Sequence, residues 1–180
     1  MALIYDTQLL AVRTDQGRLA ELEPGVQALI AQYPAVDVWR SVLAVLYTEL
    51  ERPQAARVEL ERVVSAEHAT LPGGYLRIAA GAYLTEACSY LDDALRAAPL
   101  YDALLPYAAR TVVVGFGVVC LGAVARYLGM LARTMGRRDA AREHFEVALT
   151  TNARLGAHPA LARTQLEYAR LLLDGDAAER

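Results

Sequence analysis

ARYLGMLARTMGRRDAAREHFEVA, residues 125–148, places a run led by Leu128 and Gly129 before a glycine stop at Gly136, and Ala141, Phe145 and Ala148 after it. The residues after the stop recur at helical spacing, and a glycine between two such runs marks two helices joined by a tight turn. Gly129 and Ala141 are small where the helices of such a pair cross, and a larger side chain would force the backbones apart and open a void. The stretch therefore predicts an antiparallel helix hairpin.

Working outward, the same pattern returns along the chain. Leu9, Leu10, Leu22, Val26 and Leu29 superimpose on Leu43, Ala44, Ala56, Leu60 and Val63 at one offset of 34 residues. A period of about 34 residues with small or apolar residues at such places resembles the tetratricopeptide unit, a helix, a turn and a second helix. Gly17 and Pro34 punctuate the first unit, while the second has Trp39, Leu43, Ala44 and Tyr47, a break at residues 51–53 without a glycine, then Ala56 and Leu60. A third, looser unit carries Leu84 and Cys88, a turn at Asp92 and Asp93, and Ala97, Tyr101 and Leu104, after a linker at residues 71–74 with Pro72, Gly73 and Gly74. A fifth first-helix spans residues 158–173, with Tyr168, Ala169 and Leu172. The expected fold is all-α, about nine helices in stacked antiparallel hairpins forming one α-solenoid domain, in units near 3–34, 36–70, 75–110, 116–156 and an incomplete 158–180. Units three to five are spaced by about 40 to 44 residues, which implies longer helices or inserted loops. A single hairpin cannot bury its apolar face, so stability comes from stacking on neighbours. The expected nesting of neighbouring hairpins, with one curved face left free, excludes a closed globule and a β-sheet under the glycine-rich stretch near residue 115.

Composition agrees with a packed domain. The apolar fraction is 55%, and 18 basic residues, every one arginine, stand against 21 acidic ones for a net charge of -3. That balance does not mark a nucleic-acid or anionic-membrane binder. The run from Val112 to Ala125 is too short to cross a bilayer and reads as a buried helix. Cys88 and Cys120 both fall in apolar helical runs, as buried thiols of a reducing cytoplasm do. The amino terminus lacks the pattern of a signal peptide, so a cytoplasmic protein without membrane association is expected.

Four segments carry a closer likeness: QGRLAELEP at 16–24, LLPYAARTVVVGFG at 104–117, ARYLGMLARTMGR at 125–137 and HFEVALTTNARLGAHPALART at 144–164. They resemble the carboxy-terminal tetratricopeptide-like region of large actinobacterial regulators, in which an ATPase module is joined to a class III nucleotide cyclase or a LuxR-type DNA-binding domain. The resemblance covers nearly the whole chain and implies a sensing or autoregulatory interaction region of a transcriptional regulator. The ATPase, cyclase and DNA-reading motifs are not in this sequence, so direct nucleic-acid binding is not expected.

Catalytic chemistry has little to stand on, and no enzyme, cofactor or metal is expected. VVVGFG at 112–117 imitates a dinucleotide-binding turn, but Cys120 stands where its third glycine belongs and Arg137 and Arg138 where a ribose-binding acid belongs. The alternative is an extended linker followed by glycines that permit close helix packing. His68, His144 and His158 are far apart and have no Cys or His partner at ligand spacing, and His144 and Glu143 are expected to face water. Ser41, Ser65 and Ser89 are scattered without a base, and Cys88 lacks the cationic surroundings that activate a thiol.

The concave face remains. As the resemblance to the repeat family implies, first-helix positions pointing into the groove are Glu86 and Tyr90 in unit three, Arg126, Met130 and Arg133 in unit four, and Arg163, Leu166 and Arg170 in unit five. Four arginines with Met and Leu between them would make a basic, partly apolar channel for an acidic peptide or a carboxylate terminus. The ordinary alternative is that the arginines pair with nearby acids or solvate the helix faces. The expected function is a protein–protein interaction scaffold, binding a partner or a parent-chain domain in this groove. A second reading is small-molecule sensing, with an apolar ligand between residues 112–121 and Tyr90, Tyr101, Tyr107, Phe116 and Tyr127, whose ordinary role is core packing. A third is homodimerisation through Leu161, Leu166, Tyr168, Leu171 and Leu172 of the open last helix.

Overall fold

A computed structural model describes residues 2–36, 38–64, 69, 71, 76–114 and 117–178. Among the described residues the fold is all-α apart from one short hairpin of strands. The helices are α1 (Ala2–Asp15), α2 (Glu23–Gln32), α3 (Val38–Glu49), α4 (Pro53–Val63), α5 (Leu76–Tyr90), α6 (Ala94–Leu104), α7 (Val124–Thr134), α8 (Arg138–Leu155) and α9 (His158–Ala178). His68, Ser65, Pro72, Gly73, Gly74, Gly115 and Phe116 lie outside the described residues.

One turn geometry recurs between helices. A residue with positive φ ends the first helix at Gly17 (66°), Glu51 (53°), Asp92 (49°), Gly136 (72°) and Gly156 (64°). In each case the next amide donates to the carbonyl five residues back: Arg18 to Arg13, Arg52 to Tyr47, Asp93 to Cys88, Arg137 to Ala132 and Ala157 to Asn152. This bond closes the helix end and aims the chain back along the helix it has just left. Glycine takes the left-handed conformation at little cost, whereas Glu51 and Asp92 take it against their Cβ. The turn of the second unit thus keeps its geometry without the glycine. Beyond the third turn Asp93 caps α6, its carboxylate accepting from Arg96 N at 3.1 Å.

Each hairpin packs on the next. The helices of the pairs α3/α4, α5/α6 and α7/α8 touch, and α3 packs on α5, α5 on α7, and α7 on α9. The second helix of each pair also reaches the first helix of the following one, as α2 on α3, α4 on α5, α6 on α7 and α8 on α9. The core between them holds Leu46, Leu60, Leu84, Leu100, Leu128, Leu131 and Phe145, all fully buried. Burying such side chains stabilises by roughly 1.5–3 kcal/mol each.

The stretch before α7 departs from expectation. The run from Val112 to Ala125 is not a buried helix: strand β1 (Thr111–Val114) pairs antiparallel with β2 (Val119–Ala123), and the fourth hairpin starts at Val124 rather than near residue 116. Two clusters of β-branched valines around a glycine turn favour strands, and Gly117 takes a φ of 89° between them. Val112 and Val114 are buried while Val113 is 40% exposed, the alternation of a half-covered strand. A bulge between Val112 and Val113 sets Leu121 outside the register, next to Gly122 with a φ of 89°. β1 packs on α5, and β2 on α8, α9, α7 and α1, so the sheet interrupts simple helix stacking at the centre of the array. Cys120 accordingly lies exposed on β2, not buried in a helix, while Cys88 is buried in α5.

Candidate ligand cavity

The inner helices and β2 line an open cavity of about 740 Å3. Its wall is built from α1 (Leu10, Ala11, Thr14, Asp15), α3 (Val42, Val45, Thr48, Glu49), α5, β2 (Val119, Cys120, Leu121), α7 and α9. Leu19, Leu155 and Ala157 complete it. Glu86, Tyr90, Arg126, Met130, Arg133, Arg163, Leu166 and Arg170, the groove positions expected from the sequence, all line this one space. β2, which the helical reading of its residues left out, supplies part of the wall; the paired valine clusters were its signal.

The cavity is not a basic channel; the arginines pair with nearby acids, the ordinary alternative. Arg126, Arg133, Arg163 and Arg170 are matched in number by Asp15, Glu49, Glu86 and Glu167 in the same wall. Every one of the arginines is engaged: Arg126 hydrogen-bonds Glu86, Arg170 reaches Glu167 at 2.6 Å, and Arg163 reaches Asp15 at 2.6 Å. Arg133 Nη2 lies 3.0 Å from Glu167 Oε2, although that oxygen accepts no aligned hydrogen bond, so their contact is one of charge alone. Acids of other helices, and for Arg170 one of its own helix, neutralise the arginines, as the buried charge of Arg126 in particular requires.

Burial sharpens the polar chemistry of this wall. Arg126 is only 2% exposed and stacks over the Tyr127 ring at 4.7 Å. Burial, the largest single effect, works against its charge, and Glu86 together with Tyr127 and Glu167 outweighs it, so its pKa stands above the ordinary guanidinium value. Burial pushes the Tyr127 hydroxyl up to about 12 and raises the Tyr83 hydroxyl further, so both remain protonated donors at neutral pH. Tyr127 uses its hydroxyl on Leu121 O at 3.3 Å, tying α7 to the bulge of β2.

The expected aromatic cluster is split. Tyr90 and Tyr127 line the cavity, but Tyr101 and Tyr107 do not. Tyr101 instead meets His144 of α8, hydroxyl to Nε2 at 2.8 Å, so His144 is half-buried and partnered rather than facing water. Burial lowers its pKa, with Glu143 opposing. Nor is the proposed dimer face of α9 wholly open: Leu171 is 3% exposed in the core, Tyr168 packs against Phe145 with its hydroxyl on Glu146 at 3.0 Å, and Leu161 is half-buried. Leu166 and Leu172 remain exposed, with Leu173 beside them. Cys88 donates to Asp93 O at 3.3 Å, and burial pushes its thiol up to about 12, an inert structural thiol.

Among the described residues no group of His, Cys, Asp and Glu stands close enough to hold a metal ion, and no helix is long and apolar enough to cross a membrane. No protein-family model matches the chain, and neither a curated protein nor a solved structure does.

Proposed function

We propose that this chain is a regulatory binding module of the tetratricopeptide-like solenoid kind, in which ligand occupancy of the concave cavity governs contact with a protein partner or a parent-chain domain. The observation that carries the reading is the ion pair of Asp15 with Arg163, 148 residues apart, which places the first helix beside the last on the inner side. With the ends so placed, the inner face lines a space of about 740 Å3, within the range of about 300–1,000 Å3 that small ligands occupy. The mixed wall of paired charges, tyrosines and aliphatics suits a small amphipathic molecule better than an extended acidic peptide, since the arginines already have acids. Binding, not turnover, is the proposed task, and a cytoplasmic setting fits it.

The test is a thermal-shift screen with small amphipathic compounds. A ligand held at 100 times its dissociation constant adds about 2.7 kcal/mol to stability. The variant Ala11→Trp, which fills the cavity from α1, should lose the response. A response unchanged by Ala11→Trp would place the site elsewhere.

A second reading, self-association through α9, is favoured by the exposure of Leu166, Leu172 and Leu173 at 53%, 43% and 67%. Light scattering of Leu172→Glu/Leu173→Glu beside the unaltered chain decides it, since an unchanged mass excludes that face.

A further inference from the structure

Arg126 is the most deeply buried cation of the cavity wall, and its donors are not used up. Its Nη2 donates to Glu86, while Nε and Nη1 have no acceptor, although the residue is 2% exposed. Unmatched buried donors on a charged group are costly, and an incoming oxyanion would remove the mismatch. Of the neighbouring arginines, Arg163 is held by Asp15 and Arg170 by Glu167; Arg133 also keeps a buried Nε without an acceptor, but its side chain is 21% exposed against 3% for Arg126, so its charge is less in need of a partner.

We propose that Arg126 anchors the carboxylate of a small ligand whose apolar body lies along Leu10, Val42, Val45, Val119, Leu121 and Met130; this rests on the cavity being a ligand site. Glu86 is the counter-ion of Arg126. Its side chain is 29% exposed, against 3% for Arg126, so it is the partner with room to swing aside when a ligand carboxylate arrives. A monoanion fits and a dianion does not. The wall holds as many acids as arginines, and Glu49 and Glu86 would oppose a second negative charge. The pair therefore selects an acid over its uncharged analogue by charge-assisted hydrogen bonding.

Calorimetric titration of the full chain with hexanoate, octanoate and decanoate, each against the matching amide, tests the assignment. At least one acid is expected to bind about tenfold or more tighter than its amide, the ratio charge-assisted bonds support. Arg126→Gln should remove the preference, and Glu86→Gln, which keeps an acceptor for Arg126 but removes the competing charge, should increase it several-fold. Because Arg126→Gln alters a buried pair, circular dichroism must first show native helicity, and if it does not, Glu86→Gln alone decides. Equal binding of acids and amides, both lost in Ala11→Trp, would overturn the Arg126 anchor and leave the ligand cavity standing. A preference that survives Arg126→Gln, or fails to rise in Glu86→Gln, also overturns the anchor. If none of the acids or amides binds, the anchor falls, and the ligand reading falls with it only if the broader thermal-shift screen is silent as well.

Discussion

Phe145 of α8 lies so close to Gly129 of α7 that a β-carbon on Gly129 would stand 2.7 Å from two of its ring carbons. The ring is fully buried and fills the crossing of the fourth hairpin. Gly129→Ala should cost about 1–3 kcal/mol, the usual cost of overpacking a core. Urea unfolding measures it, and pairing Gly129→Ala with Phe145→Leu should recover part of the loss because the two positions share one space.

Glu51 holds a φ of 53° in the only one of the turns within the first four hairpins, besides that of Asp92, that lacks glycine. Its side chain is exposed, so little is lost by removing it. Glu51→Gly should raise stability by about 0.5–1 kcal/mol, the difference between the relief of left-handed strain and the added chain entropy of glycine. A fall in the urea midpoint would refute the strain argument.

Asn152 is buried and joins three elements: its Oδ1 accepts from Ala123 N of β2 at 2.9 Å, and its Nδ2 donates to Thr164 of α9 at 3.1 Å. Asn152→Ala leaves a buried amide without its acceptor, which costs about 1–3 kcal/mol. Hydrogen exchange should accelerate first at Ala123, where the hairpin leaves the sheet, before the core of α7 is affected.

His144 adds a pH dependence of definite sign. Its pKa is lowered from 6.5 in the fold, first by burial, so protonation favours the unfolded chain. The stability it contributes is complete above pH 6.5 and is lost as pH falls through the lower folded value. His144→Gln should flatten the stability profile on the acid side of pH 6.5, and an identical profile in both proteins would exclude the effect.

How much of this was legible beforehand differs from place to place. The fourth hairpin could be read from local signals alone, because Gly129, Gly136, Ala141 and Phe145 state a crossing, a turn and its filling within one short stretch. The β-hairpin was written equally plainly in its valines, yet apolar runs of that length suit a helix or a strand, and periodicity does not choose between them. The groove positions, which the resemblance to the repeat family implied, all line one cavity. Pairing of the arginines with nearby acids was the ordinary alternative, and Glu167 three residues before Arg170 is such a local partner; the pairing of Arg163 with Asp15, 148 residues away, was not legible in the sequence.

Outside the run at 112–125, the sequence by itself determined the helices and their turns, because these depend on residues within a few positions of one another. Only the tertiary structure decided that α1 meets α9, that β2 enters the wall and that the arginines are paired. Those outcomes depend on contacts between residues far apart in the chain, such as Asp15 with Arg163, which no single stretch of sequence records.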